Sequence, residues 1–343
     1  MIRRESDDAW LLISQVDHAH LAADLAAAWG NDEVAPLPLA DWLLPAIRDH
    51  DAGWRAWEAT PTITEKGLPR QFTEMSADEA TTIWTSSIAT CAGGFPSLAE
   101  ALRRLRAGGG EVSPDDAAAL DAIIAYRGFA PLERLRSKLS RECDLTEPVT
   151  DAALRRLESR SLIESSEQMI GGSAYGILVP ALGASPLGGV WVSRHFTALA
   201  EHACESKGED ATAVAPLRRF LRDQAWSESR WLKAEKEFAG DDLDRVADTG
   251  FRYVQFFDRI SLWLCMAERD EPWDTVLSSK FAVRFTPLNA REFTVEPWPF
   301  KTPALEVAVP TISIEADPLF SDKALRHVLR EGDRQTLRWV LHR

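Results

Sequence analysis

A chain of 343 residues, 45% hydrophobic and 27% charged, has the make-up of a folded protein of one large or two smaller domains. Its net charge of −14 argues against a general nucleic-acid surface, which needs clustered Lys and Arg, but leaves room for a phosphorylated small molecule at a local site. Four cysteines, Cys91, Cys143, Cys204 and Cys265, form no CxxC pair, which argues against a disulfide framework and a thiolate zinc site.

The opening "MIRRESDDAW" lacks an apolar signal core. The longest uncharged stretch, residues 174–193, is broken by Pro180, Pro186 and four glycines, so no membrane helix is expected there. The composition points to a cytoplasmic protein.

The first fourteen residues read as two short strands around a polar turn. Helices are expected over 15–29, stopped by Gly30, over 39–51, ended by Gly53, over 72–90 and over 97–107, before a break at the glycines of 108–110. Residues 108–186 read as an insert. Ser113 and Pro114 start a helix there, helices follow over 131–143 and 150–159, and a hairpin turns at Gly171-Gly172. Helix, helix, hairpin is the outline of a winged helix, although the insert's nearly balanced charge does not imply DNA binding.

Helices resume over 190–206, 215–239, with Pro216 at the first helical position, and 242–267. The last stretch, with "FTVEPWPF", "ALEVAVPTISI" and "LRHVLREGDRQTLRWVLHR", reads as a small sheet that includes His327 and His342. The expected fold is therefore mainly α. A helical core of 1–107 and 187–275 carries the insert of 108–186 and a β-rich extension of 276–343.

Helical spacing sorts the histidines. His18 shares a face with Leu21, Ala22, Leu25 and Trp29, whereas His20 shares one with Asp24. Leu43, Ala46, Ile47 and His50 form a second apolar stripe, with Asp51 on its edge. His195 lies among Val192, Phe196 and Leu199, and Asp258 among Val254, Ser261, Leu262 and Cys265. A lone His on such a face is more often a hydrogen-bonded core residue, and Asp258 has Arg252 and Arg259 nearby in sequence. Yet an unpaired buried carboxylate is costly, and four separate burials need four separate solutions. One divalent ion answers all of them, since neutral imidazoles and carboxylates suit zinc, iron or manganese. His202, seven residues and about 10.5 Å beyond His195, is too far to join the same ion.

"ISQVDHAHLAADLAAAWGN", "AIRDHDAGWRAWE", "WVSRHF", "FFDRISLWLC" and "EPWPF" resemble a bacterial family catalogued as domain of unknown function 3891. The resemblance covers the first hundred residues and those after Pro186, not the insert. More distantly, the order of His, His-Asp and a remote Asp resembles the HD superfamily of metal-dependent phosphohydrolases. That resemblance implies a helical core holding one or two divalent ions (Mn, Fe, Zn, Ni or Mg). His18, His50, Asp51 and Asp258 would be the shared ligands, and His195 an added ligand or phosphate contact. Two departures stand out: Trp54 follows Gly53 where Lys is frequent in phosphodiesterase-type members, and the C-terminal sheet is extra.

The leading expectation is a hydrolase acting on a small, phosphorylated substrate, in which Asp51 bridges ions or orients water. Arg194 and Arg259 are candidate phosphate holders, competing with solvation or ion pairing. Trp54 and Trp57 are candidate pocket walls, equally suited to core packing, and Glu58 is a candidate general base. Two alternatives stand beside it. One is a di-iron oxygenase recruiting His202. The other is a non-catalytic metal-containing protein whose insert binds a protein partner.

Overall fold

The computed structural model describes residues 1–6, 9–92, 113–125, 129–160, 163–168, 172–177, 185–207, 211–239 and 243–343. The expected helix over 97–107, the glycine break at 108–110 and Gly171 of the hairpin turn lie outside these residues. The chain forms two compact units, residues 1–92 with 185–343, and residues 93–184.

The first unit opens with the antiparallel strands β1 (Ile2–Ser6) and β2 (Ala9–Ile13). Helix α1 (Gln15–Ala27) starts where the Ser14 side chain accepts a hydrogen bond from the Asp17 amide, satisfying an orphan donor of the first turn. Helices α2 (Ala40–Asp49), α3 (Trp54–Glu58) and α4 (Ala77–Cys91) follow. The single helix expected over 72–90 is in fact divided. Phe72–Glu74 is a 3₁₀ turn, and α4 begins only after Ser76, which forms a reciprocal capping box with Glu79.

The second unit contains α5 (Pro114–Ala125), β3 (Phe129–Pro131), α6 (Leu132–Cys143), α7 (Glu147–Ser159), β4 (Ile163–Gln168) and β5 (Gly172–Ile177). Its three strands pair antiparallel in the order β3-β5-β4. Leu120, Ile123, Leu135, Leu139, Leu154 and Ile163 bury a separate small core.

The first unit resumes with α8 (Pro186–Lys207), α9 (Ala211–Ala239) and α10 (Leu243–Met266). Pro216 lies inside α9 rather than at its start, close enough to the helix end that the missing N–H costs one bond. Then come β6 (Trp273–Ser278), β7 (Phe281–Asn289), β8 (Glu292–Glu296), β9 (Ala304–Glu315), α11 (Asp322–Glu331) and β10 (Asp333–His342).

The strands of this unit build one seven-stranded sheet, β1-β2-β9-β10-β8-β7-β6, antiparallel except where β10 runs parallel to β8. This overturns the expectation of a mainly α, HD-like core with a small sheet appended. The sheet is a principal layer, curled into a half-barrel. Residues 276–343, expected as a β-rich extension packed on the core, lie in the same compact unit as the helices. Residues 325–331, expected as part of the sheet, lie in α11 (Asp322–Glu331) instead. Ser321 caps it by accepting from the Ala324 amide, and Val328 and Leu329 pack on Met1, Leu12 and Ile314. His327 is therefore helical, while His342 ends β10 and pairs with Glu292 at 2.8 Å.

The sheet's other face buries Val283, Phe285, Phe293, Val295, Val307, Val309, Leu337, Trp339 and Leu341 in the same core as α1, α2, α8 and α10. Trp29, at the end of α1, stands edge-on to Phe256, Phe257, Phe281 and Phe300 with ring centroids 5.3 to 6.1 Å apart. Trp263 of α10 stacks on Trp273 of β6 at 4.9 Å. These ring contacts fasten α1 and α10 to the sheet and so fix the helix faces that point the other way. Among the described residues no helix is long and apolar enough to cross a membrane.

Candidate functional site

The apolar faces of four helices bring the inward polar residues together. His18 comes from α1, His50 and Asp51 from the end of α2, His195 from α8, and Asp258 and Ser261 from α10. His18, His50 and Ser261 are fully buried, and Asp51, His195 and Asp258 are 4 to 8% exposed. What little exposure the cluster has lies on the side of the carboxylates and His195.

The turn between α2 and α3 sets the place of His50 and Asp51. A Cβ at Gly53 would stand 2.1 Å from the Ile83 carbonyl oxygen, so only glycine lets α3 start against α4. The Gly53 amide donates to buried Ser87 Oγ at 2.9 Å, pinning the turn.

Each of the two innermost histidines has its Nδ1 occupied. The Ile47 carbonyl lies 2.6 Å from His50 Nδ1 and can only accept, so Nδ1 carries the proton. Ser261 Oγ donates to the Asp258 carbonyl at 2.9 Å and lies 2.9 Å from His18 Nδ1, holding that side of the ring. Both rings thus turn Nε2 toward the carboxylates. His18 Nε2 is 2.9 Å from Asp51 Oδ2 and 3.7 Å from Asp258 Oδ1. His50 Nε2 is 3.3 Å from Asp258 Oδ1 and 3.8 Å from Asp51 Oδ2. The rings of His18 and His50 stand nearly perpendicular, with centroids 5.4 Å apart.

These separations suit donors around one cation. Ligand atoms about 2.1 Å from a common ion stand roughly 3 to 3.5 Å apart. His18, His50 and Asp258 each offer an atom within 4.8 Å of the other two. The outer partners, a backbone carbonyl and a hydroxyl on Nδ1, are those that orient metal-binding histidines in general. His195 stands further out, its Nε2 3.9 Å from Asp258 Oδ2 and its Nδ1 buried without a hydrogen-bond partner.

Electrostatics separates the imidazoles. Burial pushes His50 down, but Asp51, Asp258 and the Ile47 carbonyl outweigh it and hold the ring up at about 9. Burial also dominates at His195, which is lowered despite Asp258 and so is neutral at pH 7. At Asp258 burial favours the neutral acid, yet the hydrogen bond from His50 and the neighbouring imidazoles hold it well below the usual carboxylate range. Without a cation a protonated His50 thus offsets the Asp258 carboxylate.

The remaining residues singled out from the sequence have other partners. Glu58 Oε1 takes the Met1 amino group and the Gln15 amide, each at 2.8 Å. Arg194 pairs with Glu228 at 3.4 Å and Asp248 at 2.5 Å. Arg259 is exposed and donates to the Val276 carbonyl at 2.8 Å. Trp54 is buried and stands edge-on to Trp57 at 5.5 Å, with Arg70 over the Trp57 ring. His202 is exposed on α8. Two cavities, of about 410 Å³ between Glu268 and Ala290 and about 190 Å³ beside Trp191, have linings that include none of the clustered residues.

Ser261 is the functional partner that spacing did not single out. Its signal was present, a hydroxyl three residues after Asp258 on the same apolar stripe. Its role depends on which ring α1 places opposite it.

The family model described as Protein of unknown function (DUF3891) matches residues 1–94 and 176–316. The unmatched stretch between them lies within the second compact unit. Searches of curated proteins and of solved structures return no match, so the more distant likeness to HD phosphohydrolases rests on the motif order alone.

Proposed function

Because the chain belongs to the family described as Protein of unknown function (DUF3891), a description that carries no chemistry, we propose from the site itself that it is a metal-dependent hydrolase of a phosphate ester. One observation carries this reading. Two buried imidazoles, each with Nδ1 held by an outer partner, aim Nε2 at the same two carboxylates. The order of His18, His50-Asp51 and Asp258 along the chain, which resembles that of HD phosphohydrolases, adds to it.

His18, His50, Asp51 and Asp258 would hold the ion. A bound divalent cation would supply water acidic enough to ionise near neutral pH and would polarise a phosphoryl oxygen. The protein's own contribution is positional. Asp51, whose carboxylate keeps a trace of exposure, would orient that water. His195, neutral and beyond hydrogen-bond reach of Asp258, has its Nε2 free for a phosphoryl oxygen. Arg194 and Arg259 are engaged elsewhere, so phosphate contact falls to His195.

Elemental analysis of the purified protein beside His50→Ala, with turnover on a panel of phosphomonoesters and diesters, tests this. Stoichiometric divalent metal and phosphate release, both lost in the variant, are expected. A folded wild-type protein that binds no divalent metal overturns the proposal. Metal bound without turnover replaces it with a structural metal site.

A further inference from the structure

Helix α9 has two unlike faces. Val214, Leu217, Phe220 and Gln224 are buried, with Leu221, Trp231 and Leu232 packed beside them. On the opposite side Arg219, Arg222, Trp226, Arg230 and Lys233 are all exposed. At about 100° per residue these five fall within an arc of roughly 80°, and Arg219 to Lys233 spans about 21 Å. Asp223, 3.8 Å from Arg219, is the acid that borders the stripe. On a chain of net charge −14, the four cations and one acid among the described residues of the stripe reverse the local sign.

The centre of the stripe is aromatic. Trp226 is 60% exposed, and the Arg230 guanidinium lies 4.6 Å from its ring centroid. A large indole left in water between cations contributes little to the fold, since its helix is already anchored by the other face. It has the form of a stacking platform flanked by phosphate-binding groups.

We propose that this face of α9 binds single-stranded nucleic acid, with the cations on successive phosphates and Trp226 stacked on a base. The choice among acidic ligands follows from shape. An acidic peptide needs apolar pockets for its anchors, and the stripe offers one flat ring with charged neighbours. A base presents a π-face to a lone indole without a pocket, and only an unpaired strand exposes that face. The inference is independent of the metal cluster.

The test is binding of a fluorescent oligothymidylate of about 12 nucleotides, within the usual range of single-strand site sizes, to the full chain. Salt is varied from about 50 to about 200 mM. Four phosphate contacts give a slope of log K against log salt of about −2.8. Trp226→Ala should weaken binding about fivefold or more, the usual worth of one stacked base. The double variant Arg222→Glu, Arg230→Glu should abolish binding, with unchanged thermal unfolding showing that the exposed substitutions leave the fold intact. No binding at the lowest salt, equal binding by these variants, or tighter binding of a polyglutamate peptide overturns the proposal.

Discussion

Ser261→Ala is the sharpest probe of the cluster because it removes one oxygen and no ligand. In the native protein Ser261 Oγ lies 2.9 Å from His18 Nδ1, and both residues are fully buried. Alanine leaves that nitrogen without a partner, at a cost of about 1 to 3 kcal/mol. It also frees the ring to rotate, carrying Nε2 away from Asp51. Losses of such outer partners typically lower metal affinity by about 10- to 100-fold. The assay is a competition titration of the metal-free protein against a chelator, beside chemical unfolding of the metal-free form. Affinity should fall by that factor. If affinity stays within about twofold of wild type while unfolding stability drops by about 1 to 3 kcal/mol, Ser261 supports the core only and its orienting role is refuted.

The pH dependence of metal binding has a definite sign. His50 is held up at about 9 in the metal-free protein and must lose its proton to become a ligand. Affinity should therefore rise about tenfold per pH unit up to about 9 and then level, so a flat profile between pH 7 and 9 refutes the assignment of His50 as a ligand. The same raised value gives the metal-free fold a contribution that is full below the unfolded value of about 6.5 and fades as pH rises through about 9. Denaturant midpoints of the metal-free protein should accordingly fall across that window. Gly53→Ala drives a methyl to 2.1 Å from the Ile83 carbonyl oxygen and must part α3 from α4. A loss of about 1 to 3 kcal/mol is expected in equilibrium unfolding, and an unchanged midpoint would show that the turn yields freely.

Much of the site was legible in the sequence because helical periodicity is local. Offsets of three, four and seven put His18, His50, His195 and Asp258 on apolar faces, whatever those faces later met. Boundaries with strong local chemistry were legible too, such as Ser14 before α1 and Ser113-Pro114 before α5. The sheet was not. Its pairings join distant segments, Leu12 with Ile312 across most of the chain and Val340 with Glu292 across β9 and α11, and no local pattern encodes such partners. The same limit explains α11, whose sequence suits strand or helix until Met1, Leu12 and Ile314 offer a surface for one helical face.

Individual roles divide along the same line. Sequence placed Glu58, Arg194 and Arg259 beside candidate ligands, but adjacency along the chain does not choose a partner. Folding gave Glu58 to the Met1 amino group, Arg194 to Glu228 and Asp248, and Arg259 to the Val276 carbonyl. The sequence by itself determined which side chains would turn inward, because the pitch of a helix is a property of the backbone. Only the tertiary structure decided which of them meet, which nitrogen each ring presents and which carboxylates remain free, because those follow from contacts between segments that the chain brings together only on folding.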